Sequence, residues 1–130
     1  MLKPLLVTWV AGMAIDFVWL SYIAGGVYTK ALGALRRPLA EFTAGHWVST
    51  ALVYGLIAIG ITVFVLPRAT SMSTAALYGA IFGLVLYGVY ECTSYSLLAN
   101  WPGSLIAVDI IWGAVLCGVL GAVGYWVAGY

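Results

Sequence analysis

The chain has 130 residues, of which 65% are hydrophobic and 7% are charged, and its formal net charge at pH 7 is +1. Soluble domains carry about 25% charged residues, so this composition excludes an ordinary soluble domain and predicts an integral membrane protein with a single domain, residues 1–130. The longest basic tract is Arg36-Arg37 and no Gly-rich phosphate loop occurs. The sequence therefore predicts contact with the lipid bilayer and argues against a nucleic-acid partner.

Four stretches reach the roughly 20 apolar residues that a membrane-spanning helix needs. They are residues 4–26, 45–66, 74–99 and 103–130. The first follows Lys3, as the core of a signal peptide would, but it is too long for one and is interrupted by Asp16, so it predicts a membrane helix. We expect an all-α fold: an integral membrane four-helix bundle with up-down-up-down connectivity.

The first connection, residues 27–44, is the only long one. It alternates the charged residues Lys30, Arg36 and Arg37 with leucines, which predicts a short amphipathic segment lying at the membrane interface. An irregular polar loop is the alternative. The other side of the membrane holds Lys3, Arg68 and the N-terminal amine, so the positive-inside rule slightly favours a cytoplasmic first loop with both termini outside.

Small residues recur at helical spacing in the last two spans. Gly79 and Gly83 are four residues apart in the third span, and Gly113, Cys117 and Gly121 follow the same spacing in the fourth. Such spacing lets helix backbones approach closely in lipid, where no hydrophobic force drives association. These residues could pack the four spans together, or form a homodimer or a contact with a larger membrane complex.

Three acidic residues, Asp16, Glu91 and Asp109, lie within spans that contain no Lys or Arg. A charged group at bilayer depth costs roughly 3 kcal/mol or more, so such residues usually face a bundle interior. At 1.5 Å per residue, Asp16 and Glu91 lie about 15 and 13 Å, and Asp109 about 10 Å, from the predicted first and third loops. Alternating spans put both loops on one side, so the three acids are expected at similar depth in one half of the membrane.

Aromatic residues accompany each acid at helical spacing. Trp19 shares a face with Asp16, Tyr87 and Tyr95 flank Glu91, and Trp112 follows Asp109. Burial and mutual repulsion disfavour three charged carboxylates, so we expect at least one to carry a proton, and the tryptophan rings could attract an organic cation. The predicted ligand- or proton-binding residues are Asp16, Trp19, Tyr87, Glu91, Tyr95, Asp109 and Trp112.

Other polar and aromatic residues have simpler interpretations. Tyr28 and Trp101 are typical of interfacial anchors, and His46 is expected at the interface, with membership of the site as the alternative. Cys92 and Cys117 lack the close spacing and His partner of a metal site, so we expect no metal and no disulfide. No residue pattern identifies a cofactor or a catalytic group. The acids themselves could serve only as interhelical hydrogen-bonding groups.

Five motifs resemble, in order and over essentially the whole chain, a family of small bacterial four-span integral membrane proteins of unknown function. They are Asp16-Phe17-Val18-Trp19-Leu20, Tyr28-x-x-x-Leu32-Gly33, Tyr90-Glu91-x-Thr93, Trp101-Pro102 and Asp109-x-x-Trp112-Gly113. The resemblance implies a four-span fold in the bacterial cytoplasmic membrane and no established activity. Members tend to have Tyr-Asp-x-Thr-Asn in the third span. Here Glu91 and Ser94 replace the Asp and the Asn, so a longer acid is present and the amide is absent.

A looser, purely architectural similarity is to small multidrug resistance transporters, which are four-span chains with an acid in the first helix; fold alone does not imply function. Three hypotheses follow. The first is proton-linked binding or transport of a small cationic or lipophilic ligand. The second is an accessory or assembly subunit of a larger membrane complex. The third, an enzyme acting on a lipid-phase substrate, lacks a nucleophile–base pair, a metal-ligand set and a cofactor motif.

Overall fold

The computed structural model describes all 130 residues and contains helices but no strand. Its helices are α1 (Leu2–Ile23), α2 (Gly25–Leu32), α3 (Ala44–Arg68), α4 (Met72–Leu97) and α5 (Ser104–Ala128). All except α2 are long and apolar enough to cross a membrane. The predicted all-α, four-helix membrane architecture is therefore confirmed.

Successive spans run antiparallel, and the closest packing is between α4 and α5. Gly79 lies against the backbone of Cys117, and Gly83 lies against the backbone of Gly113. A methyl group on either glycine of α4 would overlap a carbonyl group of α5, so only glycine permits this approach. The small-residue spacing seen in the sequence is therefore used inside the bundle.

The order of the spans around the bundle is α3, α1, α5, α4. Helix α1 packs against both α3 and α5. Helix α3 meets α4 mainly through residues Ile61–Val65, near the C-terminal end of α3. At that level the ring of Phe82 lies over Gly60. Because α3 and α4 diverge beyond this contact, the half of the bundle that holds the acids is not closed by helix packing on that side.

A π-helical turn, Trp19–Ile23, ends α1 through a 2.7 Å bond from the Ala24 N–H to the Trp19 carbonyl. Helix α2 begins at once with Gly25, where a Cβ atom would overlap the carbonyl of Leu20. The predicted interfacial segment is thus a short helix that begins two residues before the predicted loop and packs against α1 and α5.

Candidate functional site

A cavity of about 560 Å³ lies in the half of the bundle near α2, a size within the range of about 300–1,000 Å³ usual for small-molecule sites. Asp16 of α1 and Asp109 of α5 line it, together with Arg36 beyond α2. Most of the remaining lining is aromatic or aliphatic. The arrangement is an apolar cavity with a few convergent polar groups.

Asp16 is almost completely buried and accepts two hydrogen bonds, one on each oxygen. The indole N–H of Trp112 donates to one oxygen over 2.7 Å, and the hydroxyl of Tyr54 donates to the other. Three spans, α1, α3 and α5, therefore meet at this carboxyl. The ring of Trp112 also stacks on that of Trp19, with centroids 4.1 Å apart and planes 3° from parallel.

Asp109 accepts a hydrogen bond from the hydroxyl of Tyr28, and this hydroxyl in turn accepts one from the indole N–H of Trp19 over 3.3 Å. Tyr28 lies on α2, outside the membrane-spanning helices. Its burial, followed by the bond to Asp109, raises the pKa of the phenol above its ordinary value of 10.0. The phenol therefore stays neutral and remains a donor at physiological pH.

Glu91 is fully buried behind the cavity rather than on its wall. One of its oxygens accepts a 2.8 Å hydrogen bond from the indole N–H of Trp101, and the other has no partner. Glu91 therefore joins α4 to the connection before α5 through Trp101.

The sequence-predicted site residues occupy three kinds of position. Asp16, Tyr87, Asp109 and Trp112 line the cavity. Trp19 stacks on Trp112, and Glu91 is fully buried and bonded to Trp101, so neither residue lines the cavity itself. Tyr95 lies outside this group: its side chain is 56% exposed and lies near Gly103.

Several residues of the site have positions that sequence reasoning did not assign to it. Tyr28 and Trp101, interpreted as interfacial anchors, each donate a hydrogen bond to a buried acid. Tyr54 donates to Asp16, and Arg36 lines the cavity. Tyr28 and Trp101 both belong to the five motifs that resemble the membrane-protein family, and this is the one sequence feature that could have assigned them to the site.

His46 lies at the start of α3 and not in the cavity. Its Nδ1 accepts a 2.9 Å hydrogen bond from the backbone N–H of Thr43, the residue before the helix. This reciprocal capping arrangement satisfies backbone groups that the first helical turn leaves unpaired. His46 therefore does not line the cavity, and its place at the membrane interface stays a prediction.

Replacing Tyr28 with Phe is expected to loosen α2. The change removes a buried hydrogen bond worth about 0.5–1.5 kcal/mol, so amide exchange in α2 should accelerate roughly twofold to tenfold. Because the folded-state pKa of Tyr28 is raised, its contribution is complete below pH 10 and is lost only as the pH rises through the folded value. The measurement is hydrogen–deuterium exchange with mass spectrometry at neutral pH.

Tyr22→Phe is the matched control, because Tyr22 lies just before α2 and is 78% exposed. It should leave the exchange of α2 unchanged. Wild-type exchange rates in Tyr28→Phe would show that the bond to Asp109 does not hold α2 in place.

The chain matches the model of a protein family over residues 1–126, and the family is described as "Predicted membrane protein (DUF2177)". No curated protein and no solved structure matches it. The family description agrees with the four apolar helices, each of which is long enough to cross a membrane. The chain therefore belongs to the DUF2177 family of predicted membrane proteins, which is the four-span membrane family that its sequence motifs indicate.

Proposed function

We propose that this protein binds a small cationic or lipophilic ligand inside the membrane and couples that binding, or transport, to the movement of a proton. The observation that carries the proposal is that the carboxyls of two different spans line the same cavity, with a tryptophan stack at its wall. A buried acid is costly in a membrane and commonly marks an ion or substrate pathway. Aromatic faces beside carboxyls suit an organic cation.

The chemistry of exchange is simple. A carboxyl that is protonated in the empty cavity releases its proton when a cation binds beside the resulting carboxylate. Asp109 is the best candidate for this role because it accepts only one hydrogen bond, whereas both oxygens of Asp16 are occupied. The charged and titratable groups that line the cavity with Asp109 are Asp16 from α1, Tyr28 from α2, Arg36 from the first connection, Tyr54 from α3, and Tyr87 and Tyr90 from α4.

Asp109→Asn is expected to weaken binding of a lipophilic monocation such as tetraphenylphosphonium by at least about tenfold, the value of one lost charge-assisted interaction. In the wild-type protein the affinity should rise with pH, because proton and cation compete for one carboxyl. The variant should show no such pH dependence. Isothermal titration calorimetry in detergent, in two buffers of different ionisation enthalpy, measures both the affinity and the protons released.

Glu41→Gln serves as the control, because Glu41 is an exposed acid in the first connection and does not line the cavity. It should bind the cation as the wild-type protein does. Equal affinity and an equal pH profile in wild type, Asp109→Asn and Asp16→Asn would refute the proposal and leave the acids as interhelical hydrogen-bonding groups.

An accessory role in a larger membrane complex is the second candidate function. Its support is a shallow, small-residue outer face on α4 and α5 that includes Ala76, Ala80, Ala114 and Ala122. Small residues on a lipid-facing surface let another helix approach closely. Native mass spectrometry after mild detergent extraction separates the possibilities: a stoichiometric foreign subunit supports the accessory role, and a monomer or homodimer contradicts it.

The proposed location is the bacterial cytoplasmic membrane, since the spans are helical and outer-membrane proteins of bacteria are typically β-barrels. With Lys30, Arg36 and Arg37 in the first connection, we propose that this connection, and with it the end of the cavity that Arg36 lines, lies on the cytoplasmic side. A reporter fusion at the C-terminus should accordingly indicate a periplasmic end.

A further inference from the structure

The cavity is polar at one end and apolar at the other. Counted at 1.5 Å per residue from the nearest helix ends, Asp109 and Asp16 lie about 8 and 10 Å deep, with Tyr28 and Arg36 above them. Phe82 and Ile57 lie about 20 Å or more from the corresponding ends of α4 and α3. A ligand that fills this space therefore needs a polar head towards α2 and an apolar portion extending towards the bilayer centre.

The same cavity is open sideways. Its lining includes Val53 and Leu56 of α3 and Leu86 of α4, whose side chains are 49%, 67% and 38% exposed. These residues flank the side on which α3 and α4 diverge, whereas α2 packs on α1 and α5. Since this flank belongs to membrane-spanning helices, the opening faces lipid rather than water.

The deep polar groups are acidic. Arg36 is at the rim, where its guanidinium already donates 2.8 Å to the carbonyl of Gly25 and also bonds the Thr29 hydroxyl. Asp109, by contrast, accepts a single hydrogen bond and lines the cavity below that rim. The head group that matches this end of the cavity is therefore a cation, and an amine can also donate hydrogen bonds to the carboxyl.

We propose that the ligand is a single-chain cationic amphiphile, with an amine head at Asp109 and an apolar chain towards Phe82, and that it enters from the bilayer between α3 and α4. This inference rests on the proposed function and specifies the ligand class and its route. The cavity volume of about 560 Å³ is sufficient for one alkyl chain with an amine head.

The experiment measures binding of dodecylamine to the purified, detergent-solubilised protein by native mass spectrometry and by its competition with tetraphenylphosphonium. Dodecylamine should bind at least about tenfold more tightly than butylamine, because only the long chain reaches the apolar end. Its affinity should also exceed that of dodecanol, which lacks the charge, and that of dodecanoate, whose charge is opposite. Asp109→Asn should remove the advantage over dodecanol.

Leu86→Trp tests the route, because the larger side chain fills the opening from the α4 side. It should reduce dodecylamine binding or slow its association by at least about tenfold. Val53→Trp places the same bulk on the α3 side and should act alike, so the test does not depend on one variant folding. Val85→Trp is the matched control: Val85 is 56% exposed on the adjacent face of α4 and does not line the cavity.

Different results overturn different statements. Equal affinities for butylamine and dodecylamine would overturn the amphiphile as the ligand. Unchanged affinity and association rate for dodecylamine in both Leu86→Trp and Val53→Trp would overturn the lateral route. Neither result contradicts pH-dependent cation binding. Preference for dodecanoate would overturn the cationic head group. The proposed function itself is refuted only if Asp109→Asn and Asp16→Asn both leave the affinity for every cation unchanged.

Discussion

Gly83→Ala is expected to destabilise the bundle by at least about 3 kcal/mol or to prevent folding, at the upper end of the cost of overpacking. The added methyl group would overlap the carbonyl oxygen of Gly113, which is backbone and cannot rotate away. Helix α4 would have to separate from α5 along its closest contact. Because Tyr87 lies directly over Gly113, the wall of the cavity would move as well.

Gly88→Ala is the matched control for this prediction. Gly88 is on the same helix, one and a half turns further along, and a methyl group there would lie 4.0 Å from its nearest neighbour, Ile110. This variant should fold normally and could gain up to about 1 kcal/mol from helix propensity. Unfolding by denaturant in mixed micelles, followed by circular dichroism, measures both. Equal stability of the two variants would show that α4 and α5 are not packed as closely as described.

Asp16→Leu is expected to cost about 2–5 kcal/mol, because it leaves two buried donors, the Trp112 N–H and the Tyr54 hydroxyl, without an acceptor. This exceeds the average of roughly 0.6 kcal/mol for one interhelical hydrogen bond in a membrane. The difference arises because the substitution strands the donors instead of removing a complete pair. Asp16→Asn retains one carbonyl oxygen as an acceptor and should cost less.

A second substitution tests this explanation. Adding Tyr54→Phe to Asp16→Leu removes one of the stranded donors and should recover about 1 kcal/mol or more. Tyr54→Phe alone should destabilise the wild-type protein, so the same change has opposite signs in the two backgrounds. The measurement is again equilibrium unfolding in mixed micelles. Destabilisation by Tyr54→Phe in both backgrounds would mean that water satisfies the Tyr54 hydroxyl when the carboxyl is absent.

The glycine contact between α4 and α5 and the hydrogen bonds to Asp16 are structurally connected. The glycines of α4 and α5 bring two spans into backbone contact, and this contact places Tyr87 over Gly113 on the cavity wall, which Trp112 also lines. Trp112 then donates to Asp16, which fixes α1 and α3 relative to α5. Three helix pairs, α1–α3, α1–α5 and α4–α5, are well packed, whereas α3 and α4 meet only near one end, so the site has one open side.

The sequence by itself determined the membrane class, the four helices and the half of the bundle that holds the acids. Runs of about 20 apolar residues have few stable alternatives to a spanning helix in lipid, where backbone groups must be satisfied internally. Once the spans alternate in direction, residue counting places Asp16, Glu91 and Asp109 in the same half of the membrane. Helical spacing likewise placed Trp19 and Trp112 on the same faces as Asp16 and Asp109.

Only the tertiary structure decided which residues face the cavity and which face lipid. Tyr95 and Tyr87 have the same spacing from Glu91, yet Tyr87 lines the cavity and Tyr95 is mostly exposed. Lipid and the bundle interior are both apolar, so hydrophobicity cannot distinguish the two directions in a membrane helix. The contributions of Tyr28 and Trp101, and the opening between α3 and α4, depend on how the connections fold back and which helix pairs pack closely, and these are long-range contacts that no local pattern encodes.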